Sequence, residues 1–101
     1  MPGTVVNRDE TLDCLRTLIA TPSMNPDLNP DEGGSEGAAA GFAVEWLHAH
    51  GIDARLEEVE PGRPNVVADI GGTGPVRTVL AGHLDTVGVR GMTIPPFEPR
   101  V

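Results

Sequence analysis

The sequence predicts an α/β fold, two helices packed on a mixed sheet. Three observations carry that expectation. Apolar residues recur at helical spacing twice in the first half of the chain. The period then changes to two, or to continuous apolar runs, in the second half. The run Val79-Leu80-Ala81-Gly82 has no polar alternation, which suits a strand covered on both faces.

Leu12, Leu15, Leu18 and Ile19 set the first helix, over residues 9–20. Asp9 and Glu10 fall in its first turn, where the helix dipole favours acids. Thr21-Pro22 ends it. Pro22, Pro26, Asn29-Pro30 and Gly33-Gly34 then mark a loop. Ser35 is the expected N-cap of a second helix over 35–50, with Glu36 just inside it. Ala39, Phe42, Ala43, Trp46, Leu47 and His50 share one face, and Gly51 follows as a natural terminator. Strands are expected over 54–59 and 65–70, joined by Pro61-Gly62-Arg63-Pro64 as a hairpin turn. Gly71-Gly72-Thr73-Gly74-Pro75 reads as a second turn. A third strand over 77–82 would then enter the sheet interior. A Gly/Pro-rich tail follows through Pro95, Pro96 and Pro99. Nothing repeats and no domain boundary is visible, so residues 1–101 read as one unit.

Fifteen acids against seven basic residues give a net charge of −8. Nine of the acids lie between Asp27 and Glu60, where Arg55 is the one basic residue. An acidic chain without a basic patch argues against a surface for nucleic acid or for an anionic membrane. The acidic stretch reads as a solvated face in preference to a partner-binding tract. Cys14 is the only cysteine, which excludes an internal disulfide and a CxxC metal site. No basic region followed by an apolar run opens the chain, and no apolar run is long enough to span a bilayer. A cytoplasmic protein is the expectation. Phe42, Trp46 and Phe97 are the only aromatics, so core volume must come from Leu, Val, Ile and Ala.

The chemistry concentrates in Gly82-His83-Leu84-Asp85-Thr86-Val87. Functional groups in open α/β sheets sit beyond the carboxyl ends of strands. Residues two apart on an extended chain point to one side, so His83 and Asp85 face together and Leu84 faces the fold. A neutral imidazole is a common zinc ligand, and a carboxylate on its other ring nitrogen fixes the tautomer. An isolated His at a strand end is nonetheless more often structural. One His and one Asp cannot hold zinc unaided, since such sites need three or four protein ligands.

Other candidates read as structural. His48 and His50 are two apart on a helix and lie on different faces. Cys14 sits beside the Leu face of the first helix and reads as packing. Gly71-Gly72-Thr73-Gly74 lacks the Lys-Ser/Thr ending of a phosphate loop. Asp69 reads as a turn residue. Ser23 and Asn25 read as residues that cap or pin the loop, without a catalytic role.

Several stretches, in this order, resemble the M20 family of metallopeptidases and deacylases. They are Thr21-Pro22-Ser23-Met24-Asn25-Pro26 after the first helix and Ser35-Glu36-Gly37 opening the second. Pro61-Gly62-Arg63-Pro64-Asn65-Val66-Val67-Ala68 comes next, then Leu80-Ala81-Gly82-His83-Leu84-Asp85-Thr86-Val87. Pro95-Pro96-Phe97-Glu98-Pro99 is last. The resemblance spans roughly residues 9–101. It implies that this is the N-terminal part of a zinc-peptidase catalytic domain, without the lid or dimerisation domain. His83 would ligate one zinc of a pair, with Co2+ a possible substitute. Asp85 would be the catalytic-site carboxylate that orients His83.

The family cleaves amide bonds of N-acyl amino acids or short peptides with a zinc-activated water, and a Glu serves as general base. The expected partners are therefore such a small substrate and the remainder of the chain or another protomer, with a homo-oligomer as the assembly. The bridging Asp, the Glu–Glu pair, the later acidic ligand and the last His of the family pattern are not among these residues. Val101 reads as a truncation, and the 101-residue chain by itself is expected to be inactive. The alternative is a non-catalytic fragment or interaction module that keeps the family fold.

Overall fold

A computed structural model describes residues 7–100. It contains two helices, α1 (Arg8–Ala20) and α2 (Gly37–Ala49), and two strands, β1 (Asp53–Glu60) and β2 (Arg63–Asp69). This is a small α/β fold.

Asn7 starts α1. Its backbone is extended, and its side chain accepts a hydrogen bond from the Glu10 backbone N–H at 3.0 Å. That satisfies one of the donors a helix start leaves free. Asp9 and Glu10 occupy the first turn as expected. Thr21 turns extended at the C-cap, because Pro22 disfavours helical backbone in the residue before it. No residue of α1 is buried.

The start of α2 differs from the expectation. The helix begins at Gly37, and the Ser35 hydroxyl only accepts a long bond of 3.4 Å from the Gly37 N–H. Glu36 takes the cap position in helical conformation, with its carboxylate engaged elsewhere. The far end follows the sequence closely. Gly51 adopts φ +74°, its N–H bonds the His48 carbonyl at 3.0 Å, and the Ile52 N–H bonds the Leu47 carbonyl at 2.9 Å. Paired bonds of this kind form a Schellman closure, which needs a left-handed residue and therefore glycine.

β1 and β2 form an antiparallel hairpin, in register from Asp53 opposite Asp69 to Glu58 opposite Pro64. Glu60 then pairs with Arg63, leaving Val59 as the extra residue of a bulge. The loop is shorter than the four-residue turn expected: Arg63 and Pro64 belong to β2. Gly62 carries φ +77°, and its N–H donates to the Glu58 carboxylate at 2.8 Å. Pro64 is tolerated because each strand of a two-stranded sheet is an edge.

α2 packs on both strands of the hairpin. Ala39 and Ala40 of α2, Ala54 of β1, and Met24 of the preceding loop are the buried apolar residues. Small side chains at these positions let helix and sheet approach closely, but they bury little apolar area. No large side chain is fully buried among the described residues.

Two expectations are corrected. The sheet is antiparallel, not mixed: the parallel contact among the described residues is an isolated bridge between Met24 and Thr86. Of the two helices, α2 is the one that packs on it to any extent among the described residues. The 77–82 segment is also not a strand, and Gly71-Gly72-Thr73-Gly74-Pro75 does not return the chain to the hairpin. Val76, Val79 and Leu80 are 77%, 78% and 91% exposed. A continuous apolar run forms a strand when both faces are covered and a ladder partner is present. Here neither condition is met among the described residues.

Candidate functional site

The site is assembled by two segments that cross between α1 and α2 and beyond β2. Thr86 and its neighbours form the parallel bridge with the loop after α1. The Thr86 N–H donates to the Ser23 carbonyl at 2.9 Å, and the Asn25 N–H donates to the Thr86 carbonyl at 3.0 Å. Ser23 and Met24 are buried at this crossing. Gly34 lies against it so closely that a Cβ there would sit 3.0 Å from the Met24 backbone.

The bridge places the His83–Asp85 pair. His83 Nδ1 lies 3.1 Å from Asp85 Oδ1 and 2.8 Å from the Asp85 carbonyl oxygen. Both partners accept hydrogen bonds, so Nδ1 carries the proton in the neutral ring and the lone pair is on Nε2. The His83 side chain is 83% exposed, whereas that of Asp85 is 31% exposed. The second carboxylate oxygen, Oδ2, accepts from Asn25 Nδ2 at 2.8 Å. Asp85 is thus held below the ordinary carboxylate range, first by the Asn25 amide and then by the His83 ring, against the opposing effect of burial. The side chains that the sequence pairs are therefore together, and Leu84 between them is half-buried while His83 is exposed. The backbone that carries them is irregular and not a strand end.

A second cluster adjoins the first. Arg63 grips Glu36 in bidentate fashion, Nη2 to Oε1 at 2.7 Å and Nε to Oε2 at 3.1 Å. Its Nη1 donates to Asp27 Oδ2 at 2.7 Å. Glu36 is 8% exposed, and the Arg63 hydrogen bond is the main reason its carboxyl sits below the usual range. The guanidinium is correspondingly held more firmly in its charged form, again chiefly by Glu36. This clamp joins the start of α2, the start of β2 and the loop. A groove of about 570 Å³ runs between β2 and the 80–85 segment, with Glu36, Arg63, Val66, Leu80, His83 and Asp85 among its lining.

Glu32 completes the crossing from the other side. Its carboxylate accepts from the backbone N–H groups of Val89 at 3.0 Å and Arg90 at 2.9 Å. Sequence reasoning passed over Glu32, the Glu36–Arg63 clamp and the second half of Asn25's role. The legible signal was Asn25-Pro26, an Asx–Pro pair that starts turns. Ion pairs between residues 27 apart leave no local trace.

The remaining candidates are absorbed by structure. His48 Nε2 bonds the Ala54 carbonyl at 2.8 Å, tying the end of α2 to β1. His50 Nδ1 bonds the Trp46 carbonyl at 2.8 Å, and its ring stacks on Trp46 at 3.8 Å between centroids. Cys14 is half-buried, and burial pushes its thiol pKa up, away from thiolate chemistry. Asp69 ends β2 and pairs with Arg55 at 3.2 Å.

The donor chemistry of His83 suits a zinc-type ion: an exposed Nε2 lone pair with a carboxylate behind the other nitrogen. It amounts to one ligand. Among the described residues, no group of three or more His, Cys, Asp or Glu side chains could hold a metal ion. No helix among them is long and apolar enough to cross a membrane. Comparison with protein-family models, with curated proteins and with solved structures finds no match.

Proposed function

We propose that this chain is part of a metal-dependent amidohydrolase of the M20 kind, an incomplete zinc-peptidase catalytic domain acting in the cytoplasm. The whole enzyme would cleave amide bonds of N-acyl amino acids or short peptides. One observation carries the reading. His83 presents Nε2 outward while Asp85 and Asn25 fix the ring from behind. A ligand prepared in this way is what a zinc site requires of each of its imidazoles.

His83 would ligate one metal, and Asp85 would orient it without ligating through the same oxygens. The metal, when bound, would polarise the substrate carbonyl and activate water. This chain's residues do the holding: Asp85 keeps the proton on Nδ1, and the Glu36–Arg63 clamp supports the groove wall beside it. The other ligands and the general base would come from further sequence or from another protomer.

A second reading is a non-catalytic interaction module that keeps this fold. The exposed apolar run Val76, Val79, Leu80 favours it, because such a surface calls for a covering partner. The two readings separate on zinc. In the complete protein, His83→Ala should lower zinc content and amide hydrolysis together. Asp85→Asn should reduce metal affinity or activity by roughly 10–100-fold, the usual effect of losing an orienting partner. An N-acyl amino acid panel with zinc or cobalt supplies the measurement. Unchanged hydrolysis in both variants would remove the enzyme assignment to this pair.

A further inference from the structure

We propose that two copies of this chain pair through the exposed run that begins at Val76, each copy's run filling the other's groove, so that the two hairpins join in one continuous sheet. The pairing does not depend on whether His83 holds a metal.

The groove has backbone with free ladder groups along both sides. β2 lines it with residues 63–67, the chain over 80–85 lines it opposite, and Ala43 of α2 lies between them. Each strand of the hairpin has one neighbour, so β2 keeps an unpaired edge. Residues 80–84 make no backbone–backbone hydrogen bond among the described residues. An extended segment laid between the two walls gains a ladder on each side.

The run has the composition of such a segment. Val76-Arg77-Thr78-Val79-Leu80 is rich in β-branched residues and free of Gly and Pro. Val76, Val79 and Leu80 are exposed, and seating them in the groove removes apolar surface from water. Charge fits as well. Residues 70–84 contain no acid, and Arg77 is their one formal charge in a chain of net charge −8. The groove sets Glu36 and Asp85 against Arg63, so it receives a cation better than an anion.

A second copy is the occupant because the arrangement closes on itself. The stretch that enters one groove continues into the wall of its own. With a two-fold axis between the runs, the sheet reads hairpin, second copy's run, first copy's run, second hairpin. Each run then lies between a β2 edge and the other run, and the same patch serves both copies, as a two-fold interface requires. The runs are antiparallel about the axis. Laying 76–80 of one copy along 80–84 of the other puts Leu80 opposite Leu80 of the second copy. The same register sets Arg77 opposite His83 of the second copy and diagonal to its Asp85, within reach of a long side chain.

The test is sedimentation of the full chain over a dilution series. Wild type should be a dimer that dissociates on dilution. Leu80→Asp and Leu80→Lys, each alone, set like charges across the axis and should weaken dimerisation roughly a hundredfold. An equimolar mixture of the two variants should return the dimer, because opposite charges then face each other. Circular dichroism of the helices and Trp46 fluorescence report whether each variant folds. Should either not fold, Val76→Asp replaces it, since it sets an unpaired charge against Leu84 of the second copy and should weaken the dimer likewise. A wild type that is monomeric at every concentration leaves the groove to another occupant and overturns the proposal. Dimers that survive the single variants overturn it too, as does a mixture that stays monomeric or a wild type that grows into assemblies larger than a dimer.

Discussion

Two stretches of this molecule carry comparable burdens and behave differently. The loop over 23–36 is polar and rich in Pro and Gly, yet it is tied down along its length. Met24 is buried, Asn25 holds Asp85, Glu32 receives two backbone amides and Glu36 receives Arg63. The stretch over 71–82 contains the most apolar run of the second half, yet it lies exposed without a ladder partner among the described residues. Hydrophobicity alone therefore does not order a segment. A polar loop with defined acceptors can be placed within tenths of an ångström, because hydrogen bonds are directional. An apolar strand waits for a surface to cover it.

The contrast breaks most visibly at Met24. Its side chain is 3% exposed at the crossing of the two site segments. Met24→Ala should cost about 2–5 kcal/mol, as for other buried large-to-small changes, measured by urea unfolding. A cost near zero would mean that the polar ties alone hold the loop.

Glu36 tests those ties. Its folded pKa lies below the ordinary 4.5, so its protonation favours the unfolded chain. The stability it contributes is full above that ordinary value and is lost as pH falls through the lowered one. Thermal melts should fall by a few degrees across that acid window in wild type. Glu36→Gln should start lower and show less of the slope. A slope that persists unchanged in Glu36→Gln would place the acid sensitivity elsewhere.

The smallest effect is expected at Leu80. With 91% of it exposed, Leu80→Asp should change the stability of this chain by no more than about 0.5 kcal/mol. If the 77–82 run is covered by further sequence or another protomer, the same change should reduce that association, read by sedimentation or by the melting of the assembled protein. A large loss of stability in the isolated chain would instead mean that the run packs within it.

Much of the fold was legible where the signal is local. The spacing of Leu12, Leu15 and Leu18, Gly51 at the close of α2, and Pro61-Gly62 between two strands each depend on a few adjacent residues. The structure places an element boundary close to each of them. The N-cap of α2 was misread because Ser35 has the right side chain, but Glu36 is drawn into the helix start by Arg63. The third strand was misread because its apolar pattern states a need for cover and not its source. At the site, the pairing of His83 with Asp85 followed from a two-residue spacing. Asn25, Glu32 and Arg63 did not follow, since each meets its partner across dozens of residues.

The sequence by itself determined which segments are helical, where the hairpin turns, and that His83 and Asp85 would lie side by side. Those outcomes are decided by backbone preferences and periodicities within one turn or one hairpin. The tertiary structure alone decided what stands behind the pair. The bridge of Met24 and Thr86 brings Asn25 to Asp85, where its amide donates to the carboxylate oxygen that His83 leaves free. A hydrogen bond depends on distance and angle in space, and no spacing along the chain encodes either across 60 residues.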